Sequence, residues 1–127
     1  ENAGIYHVLA GAYEKIEELE EANFHYLKSL ELGPYDDEAL NDYLAFLTAS
    51  SISSAQQFIL EFLDKHPQHF QAKLHLVNLK WMLGQAAEAK HLYMACLEKS
   101  TVLSKNIFEI NPKLLDDSDF LYLTNEL

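Results

Sequence analysis

Arginine is missing from this chain altogether, and nine lysines stand against twenty carboxylates, for a net charge of −11. Nucleic-acid binding relies on clustered Lys and Arg to displace counterions from phosphates, and attraction to anionic lipid draws on the same charges. Neither nucleic acid nor a membrane surface is therefore an expected partner. A lone cysteine, Cys96, leaves no internal disulfide, which is compatible with a reducing cytoplasm. Four glycines are too few for a site built from loops. No stretch approaches the roughly 20 apolar residues that a membrane span requires. G-x-S-x-G, a phosphate-binding P-loop and H-E-x-x-H are all absent. No catalytic residues, no metal and no cofactor are signalled, and an enzyme is not expected.

The chain does contain a repeat. Ala22, Ala55 and Ala89 follow one another at steps of 33 and 34 residues, a period that marks stacked helix–turn–helix units whose faces are buried only by their neighbours. The first copy, residues 3–36, reads Tyr6-x2-Leu9-Ala10-x2-Tyr13, then Ala22-x3-Tyr26, then Pro34. The second, 37–69, reads Leu40-x2-Tyr43-Leu44-x2-Leu47, then Ala55-x3-Ile59, then Pro67, and is one residue shorter between its helices. The third, 70–103, reads Lys73-x2-Leu76-Val77-x2-Lys80, then Ala89-x3-Tyr93, with Thr101 where proline would stand.

Small residues at Ala10, Ala22, Ala55 and Ala89 let helix backbones approach. Large ones at Tyr6, Leu9, Tyr13, Tyr26, Tyr43, Leu47 and Tyr93 are expected to fill the space between pairs, and their spacings of three, four and seven keep them on one helical face. Pro34 and Pro67 follow apolar helix ends, which proline cannot continue. Asp36, Asp37 and Glu38 put negative charge on the next first turn, and Ser53-x-x-Gln56 forms a capping box. These signals predict helices over 3–16, 18–32, 37–49, 53–65, 70–83 and 86–99, then 103–110, a turn at Asn111-Pro112, and a last helix over 117–126.

The three copies resemble the tetratricopeptide repeat, W-x2-L-G-x2-Y, then A-x3-F, then P. The implied fold is all-α, an α-α superhelix of three stacked repeats in one solenoid domain over 1–127. Residues from Leu103 to Leu127, with Ile107, Phe108, Ile110, Leu114, Leu115, Phe120, Leu121 and Leu123, read as a C-terminal cap on the last apolar face. The N-terminal side has no comparable cap, and the chain opens at Glu1 without an initiator methionine. It reads as the C-terminal piece of a longer protein, from which a signal peptide could have been removed.

Charge is divided unevenly. Residues 1–67 hold three lysines and thirteen carboxylates, whereas residues 68–127 hold six and seven. The acidic run Glu14–Glu21 reads as a solvated turn and helix start. Cys96, seven residues after Ala89, falls on the packing face and reads as a buried thiol. Glu88-x-x-His91 has the spacing of a di-metal bundle ligand pair, but no second such pair exists. His66-x-x-His69 would supply two ligands at most. Ser50, Ser51, Ser53 and Ser54 cluster in an inter-helix turn, as capping and solvation require.

The resemblance further implies that side chains on the first helix of each pair, off the packing face, contact a partner in a concave groove. Here those are His7, Val8 and Gly11, then Asn41, Asp42 and Ala45, then Leu74, His75 and Asn78. Family members that hold a terminal carboxylate use Lys, Asn and Arg; only Asn41 lies near such a place, and Asp42 beside it would repel the ligand. Trp81 and Met82 either anchor a partner at the groove or lie beneath the cap. The expected function is a protein–protein interaction module taking a neutral or basic peptide or helical segment. The alternative is a purely structural solenoid segment, or a dimerisation end of a larger scaffold, with homodimers forming through the uncapped N-terminal end.

Overall fold

The computed structural model describes residues 2–126, and every regular element among them is helical. Glu1 and Leu127, the ends of the predicted domain, lie outside the described residues. The elements are α1 (Ala3–Lys15), α2 (Leu19–Leu32), α3 (Asp37–Ser50), α4 (Ile52–Lys65), α5 (Phe70–Met82), α6 (Ala86–Lys99), α7 (Thr101–Ser104), α8 (Ile107–Ile110), a 3-10 turn (Pro112–Asp116) and α9 (Ser118–Glu126). The backbone sorts into two compact units, Glu1–Phe46 and Leu47–Leu127, divided within α3.

Short polar side chains start the helices by accepting orphan backbone N–H groups. Asn2 accepts from Gly4 at 2.7 Å and Asp36 from Ala39 at 3.2 Å. The cap of α4 is Ser51, which accepts from Ser54 at 3.2 Å. Ser53 and Gln56 are thus inside the helix, and the predicted capping box does not form. His69 caps α5 through Nδ1, 3.2 Å from the Ala72 N–H.

The turns explain the unequal repeat lengths. Gly84, between α5 and α6, has φ +82°, and Glu17, at the matching place between α1 and α2, has φ 61°. Both turns close with the same pair of backbone bonds: Glu17 to Glu14 and Glu18 to Tyr13 in one, Gly84 to Trp81 and Gln85 to Lys80 in the other. A left-handed residue at this place satisfies the last carbonyls of the preceding helix. The turn from α3 to α4 is the single residue Ser51, against three residues in each of the other two, and has no positive φ.

In the first unit, Ala10 and Ala22 are fully buried and admit the close approach of α1 and α2. Ser29 Oγ donates to the Ala3 carbonyl at 3.0 Å, tying the same two helices. Tyr26 on α2 meets Tyr43 and Phe46 on α3, with ring centroids 5.5 and 5.3 Å apart. One packing expectation fails: Leu9 lies on the outer face of α1 and is 38% exposed.

In the second unit, α5 packs on α4, α6 and α8, while α9 lies on α6 and the 3-10 turn. Leu74, Val77, Ala89, Tyr93, Cys96 and Leu97 form one buried cluster with Ile107, Leu114 and Phe120. Full burial of each large side chain contributes about 1.5–3 kcal/mol, so residues after Leu103 supply a substantial part of this core. The predicted helix over 103–110 is interrupted. Asn106 and Phe108 bond three residues back, to Leu103 and Lys105, splitting it into two single turns. Leu103 and Leu115, expected in the cap's packing face, are each 49% exposed.

Candidate functional site

In the first unit α1 packs on α2, Tyr26 of α2 meets Tyr43 of α3, and His7 of α1 reaches Asp42 of α3. The candidate residues of copies one and two lie on α1 and α3. His7 Nε2 and Asp42 Oδ2 are 2.7 Å apart, so two predicted residues from different copies meet directly. The Asp42 side chain remains half exposed and that of His7 largely covered. Val8 is 72% exposed, and Ala45 is also exposed while Gly11 and Asn41 are half-buried. No atom comes within 4 Å of where a Cβ on Gly11 would stand, so the surface is open there.

Behind this patch lies a layer of buried phenols. The Tyr26 hydroxyl donates to Glu14 Oε1 at 2.6 Å, and the Tyr43 hydroxyl donates to Asn23 Oδ1 at 2.7 Å. Burial raises the Tyr26 phenol well above its ordinary value, and its bond to Glu14 and the charges of Glu14 and Asp42 raise it further. Tyr43 is pushed up to about 12 by burial. Both phenols stay neutral and act as donors beneath the patch. Their places in the repeat mark them as packing residues, and no signal in the sequence pairs Tyr26 with Glu14 or Tyr43 with Asn23.

The third copy corrects the expectation. Leu74 is completely buried in the core of the second unit, and His75 and Asn78 are 5% and 6% exposed. Asn78 Oδ1 accepts from Asn111 Nδ2 at 2.8 Å, and its amide donates to Met82 Sδ at 3.4 Å. His75 is lowered to about 4 by burial and by His69 nearby, which keeps it neutral. The physical reason is that α8 and the chain around Asn111 pack against α5. The face that would have remained open is used as core and as an anchor for the cap, so these three residues are withdrawn from the partner-binding set. Trp81 resolves the same way. It packs against the core cluster, and its Nε1–H donates to Asp117 Oδ2 at 2.9 Å; Met82 is 39% exposed.

Cys96 is buried, and burial raises its thiol despite the opposing charge of Lys73. Glu88 pairs with Lys80 at 2.9 Å, and His69 is a helix cap. Among the described residues no three His, Cys, Asp or Glu side chains gather as a metal site, and no helix is long and apolar enough to cross a membrane. An open hollow beside the end of α6, about 540 Å³, is lined by Met94, Leu97, Glu98, Lys99, Ser100, Thr101 and Val102. It brings no catalytic pair together.

Compared with models of known protein families and with curated proteins, the chain matches neither a family model nor a curated sequence.

Proposed function

We propose that this chain is a tetratricopeptide-like interaction module, without catalytic activity of its own, that works in the cytoplasm and binds a neutral or basic protein segment on the α1–α3 patch of its first unit. The observation carrying this reading is the junction of His7 and Asp42, 2.7 Å apart, with Val8, Gly11, Asn41 and Ala45 around it. An open, small-residue floor beside amide, imidazole and carboxylate groups suits an extended segment that needs both donors and acceptors. The charge of residues 1–67, three lysines against thirteen carboxylates, favours a neutral or basic partner. Attraction of this kind is screened over about 8 Å at physiological salt, so association should slow as salt rises.

The test is capture of partners from a lysate of the source cell, followed by rebinding of the identified partner to a Val8→Ala, Asn41→Ala, Asp42→Ala triple variant. The partner should lose most of its affinity while the thermal midpoint stays nearly unchanged, since none of the three is a core residue. A partner that binds parent and variant equally well uses another surface.

A further inference from the structure

On α2 the buried face is Ala22, Tyr26, Ser29 and Leu30, and Phe24 stands about 160° around the helix from Tyr26. Phe24 is 58% exposed and Leu27, three residues on, 40%. The Phe24 ring is braced. It meets the His25 ring edge-on at 5.2 Å, and His25 in turn lies 4.9 Å from Tyr13 and 5.8 Å from Tyr6. An apolar group already held in place loses little freedom when a partner covers it. The same two places are open in the later copies, where Gln57 and Leu60, then His91 and Met94, are all exposed. Those copies have chain before and after them, so the openness comes with the repeat position. What distinguishes the first copy is a phenylalanine where the others carry glutamine and histidine. Carboxylates stand at both ends of the pair: Glu20 and Glu21 one turn before Phe24, and Glu31 one turn after Leu27, all exposed. The one lysine of α2, Lys28, lies 4.0 Å from Glu31.

We propose that this face of α2 docks a lysine- or arginine-rich amphipathic helix of a partner protein, on a second surface separate from the α1–α3 patch. Phe24 and Leu27 receive the apolar side chains of the incoming helix, whose anchors recur at the same three- and four-residue spacing, and aromatic side chains are favoured at the centre of such contacts. Glu20, Glu21 and Glu31 meet the cations that flank those anchors. Charge selects this occupant among those that an apolar patch could take. A second copy of the chain would bring like carboxylates together, and an anionic bilayer would be repelled. Tyr26, which lies beneath the α1–α3 patch, is on the opposite side of α2, so one segment does not cover both surfaces. A contact one helix wide is at the small end of specific interfaces, under about 1,200 Å² in total, so the complex should be transient.

The experiment is fluorescence anisotropy with a labelled probe peptide of about 14 residues, four helical turns, carrying leucines at i, i+3, i+4 and i+7 spacing and lysines elsewhere. One control peptide replaces the leucines with glutamine and another replaces the lysines with glutamate. The 127-residue chain should bind the probe at least about ten-fold more tightly than either control. Phe24→Gln and Leu27→Gln should each weaken the probe at least about five-fold, glutamine being the residue that stands at the Phe24 place in the second copy. Glu20→Gln with Glu31→Gln should weaken it and flatten its dependence on salt. Helicity is checked by circular dichroism; Phe24 and Leu27 are both exposed, so if one variant unfolds the other carries the test. Binding of the glutamine control as tight as that of the probe, or probe binding indifferent to both apolar substitutions, overturns the proposal. The Val8→Ala, Asn41→Ala, Asp42→Ala variant should bind the probe as the parent does. If that variant alone loses the probe, the peptide sits on the α1–α3 patch, which overturns this inference and leaves the proposed function standing.

Discussion

The indole of Trp81 on α5 donates to one oxygen of Asp117 at 2.9 Å, while the other oxygen of that carboxylate accepts the N–H groups of Asp119 at 2.9 Å and Phe120 at 3.3 Å. One side chain thus caps the start of α9 and fastens it to α5. Burial by itself would raise the Asp117 carboxyl, but the indole, the two backbone N–H groups and Lys90 outweigh it and hold it below the ordinary value.

Asp117→Ala should therefore cost about 1–2 kcal/mol, the loss of a cap together with a charge-assisted bond. Trp81→Phe removes the donor and also leaves a smaller ring against the core cluster, so it should cost about 2–3 kcal/mol, the lost bond and the lost packing together. Urea unfolding of the two variants checks the order; a smaller loss for Trp81→Phe than for Asp117→Ala would show that the indole contributes little beyond its bond.

Glu17 occupies the left-handed region that Gly84 occupies in the matching turn. A non-glycine residue there costs about 1–2 kcal/mol, partly offset by the extra freedom glycine has in the unfolded chain. Glu17→Gly should accordingly raise stability by about 0.5–1 kcal/mol. Gly84→Ala should lower it, even though no atom within 4 Å would meet the new Cβ. Denaturant midpoints of the two variants should move in opposite directions.

His75 is neutral in the fold because burial lowers it to about 4, against about 6.5 in the unfolded chain. Above pH 6.5 neither state is protonated and the group has no effect. Between pH 6.5 and 4 the unfolded chain takes up a proton that the folded chain refuses, so stability falls by about 3 kcal/mol across this window. His75→Gln should flatten stability against pH over that range. A profile as steep as the parent's would place the titration elsewhere.

Tyr26 and Tyr43 move the other way. Their phenols are held neutral, Tyr43 up to about 12, whereas in the unfolded chain they ionise near 10. Their contribution is therefore complete below pH 10 and is lost as pH climbs toward 12. Burial raises the phenol of Tyr93 as well, so a spectrophotometric titration should show three tyrosinates appearing late and together with unfolding, and Tyr43→Phe should remove one of them.

Removing residues from Leu103 onward strips Ile107, Leu114 and Phe120 from the core cluster, each worth about 1.5–3 kcal/mol. The shortened chain should aggregate or lose cooperative unfolding. A soluble monomer that melts as sharply as the parent would show that the second unit does not depend on its cap.

Helix positions and the repeat were legible in the sequence because both follow from local rules. Apolar spacing of three and four residues assigns a helical face, and proline, aspartate and serine mark the ends, so α1 to α6 fall within about two residues of expectation. The buried Cys96 and the burial of Ile107, Leu114 and Phe120 against it were legible for a related reason: apolar residues in a repeat must be covered. The repeat also placed His7, Val8, Gly11, Asn41, Asp42 and Ala45 on the surface of α1 and α3. What the sequence could not decide is which equivalent faces end up covered. Leu74, His75 and Asn78 stand at the same repeat position as His7, Val8 and Gly11, yet they are buried because a segment about thirty residues downstream folds back onto α5. Leu9 stands at the same position as Tyr43 and Leu76, yet it is exposed. Contacts such as Asn78 with Asn111 and Trp81 with Asp117 join residues more than thirty positions apart, and no periodicity encodes them. Local spacing chose the helices, and long-range packing chose which of their faces remain in water.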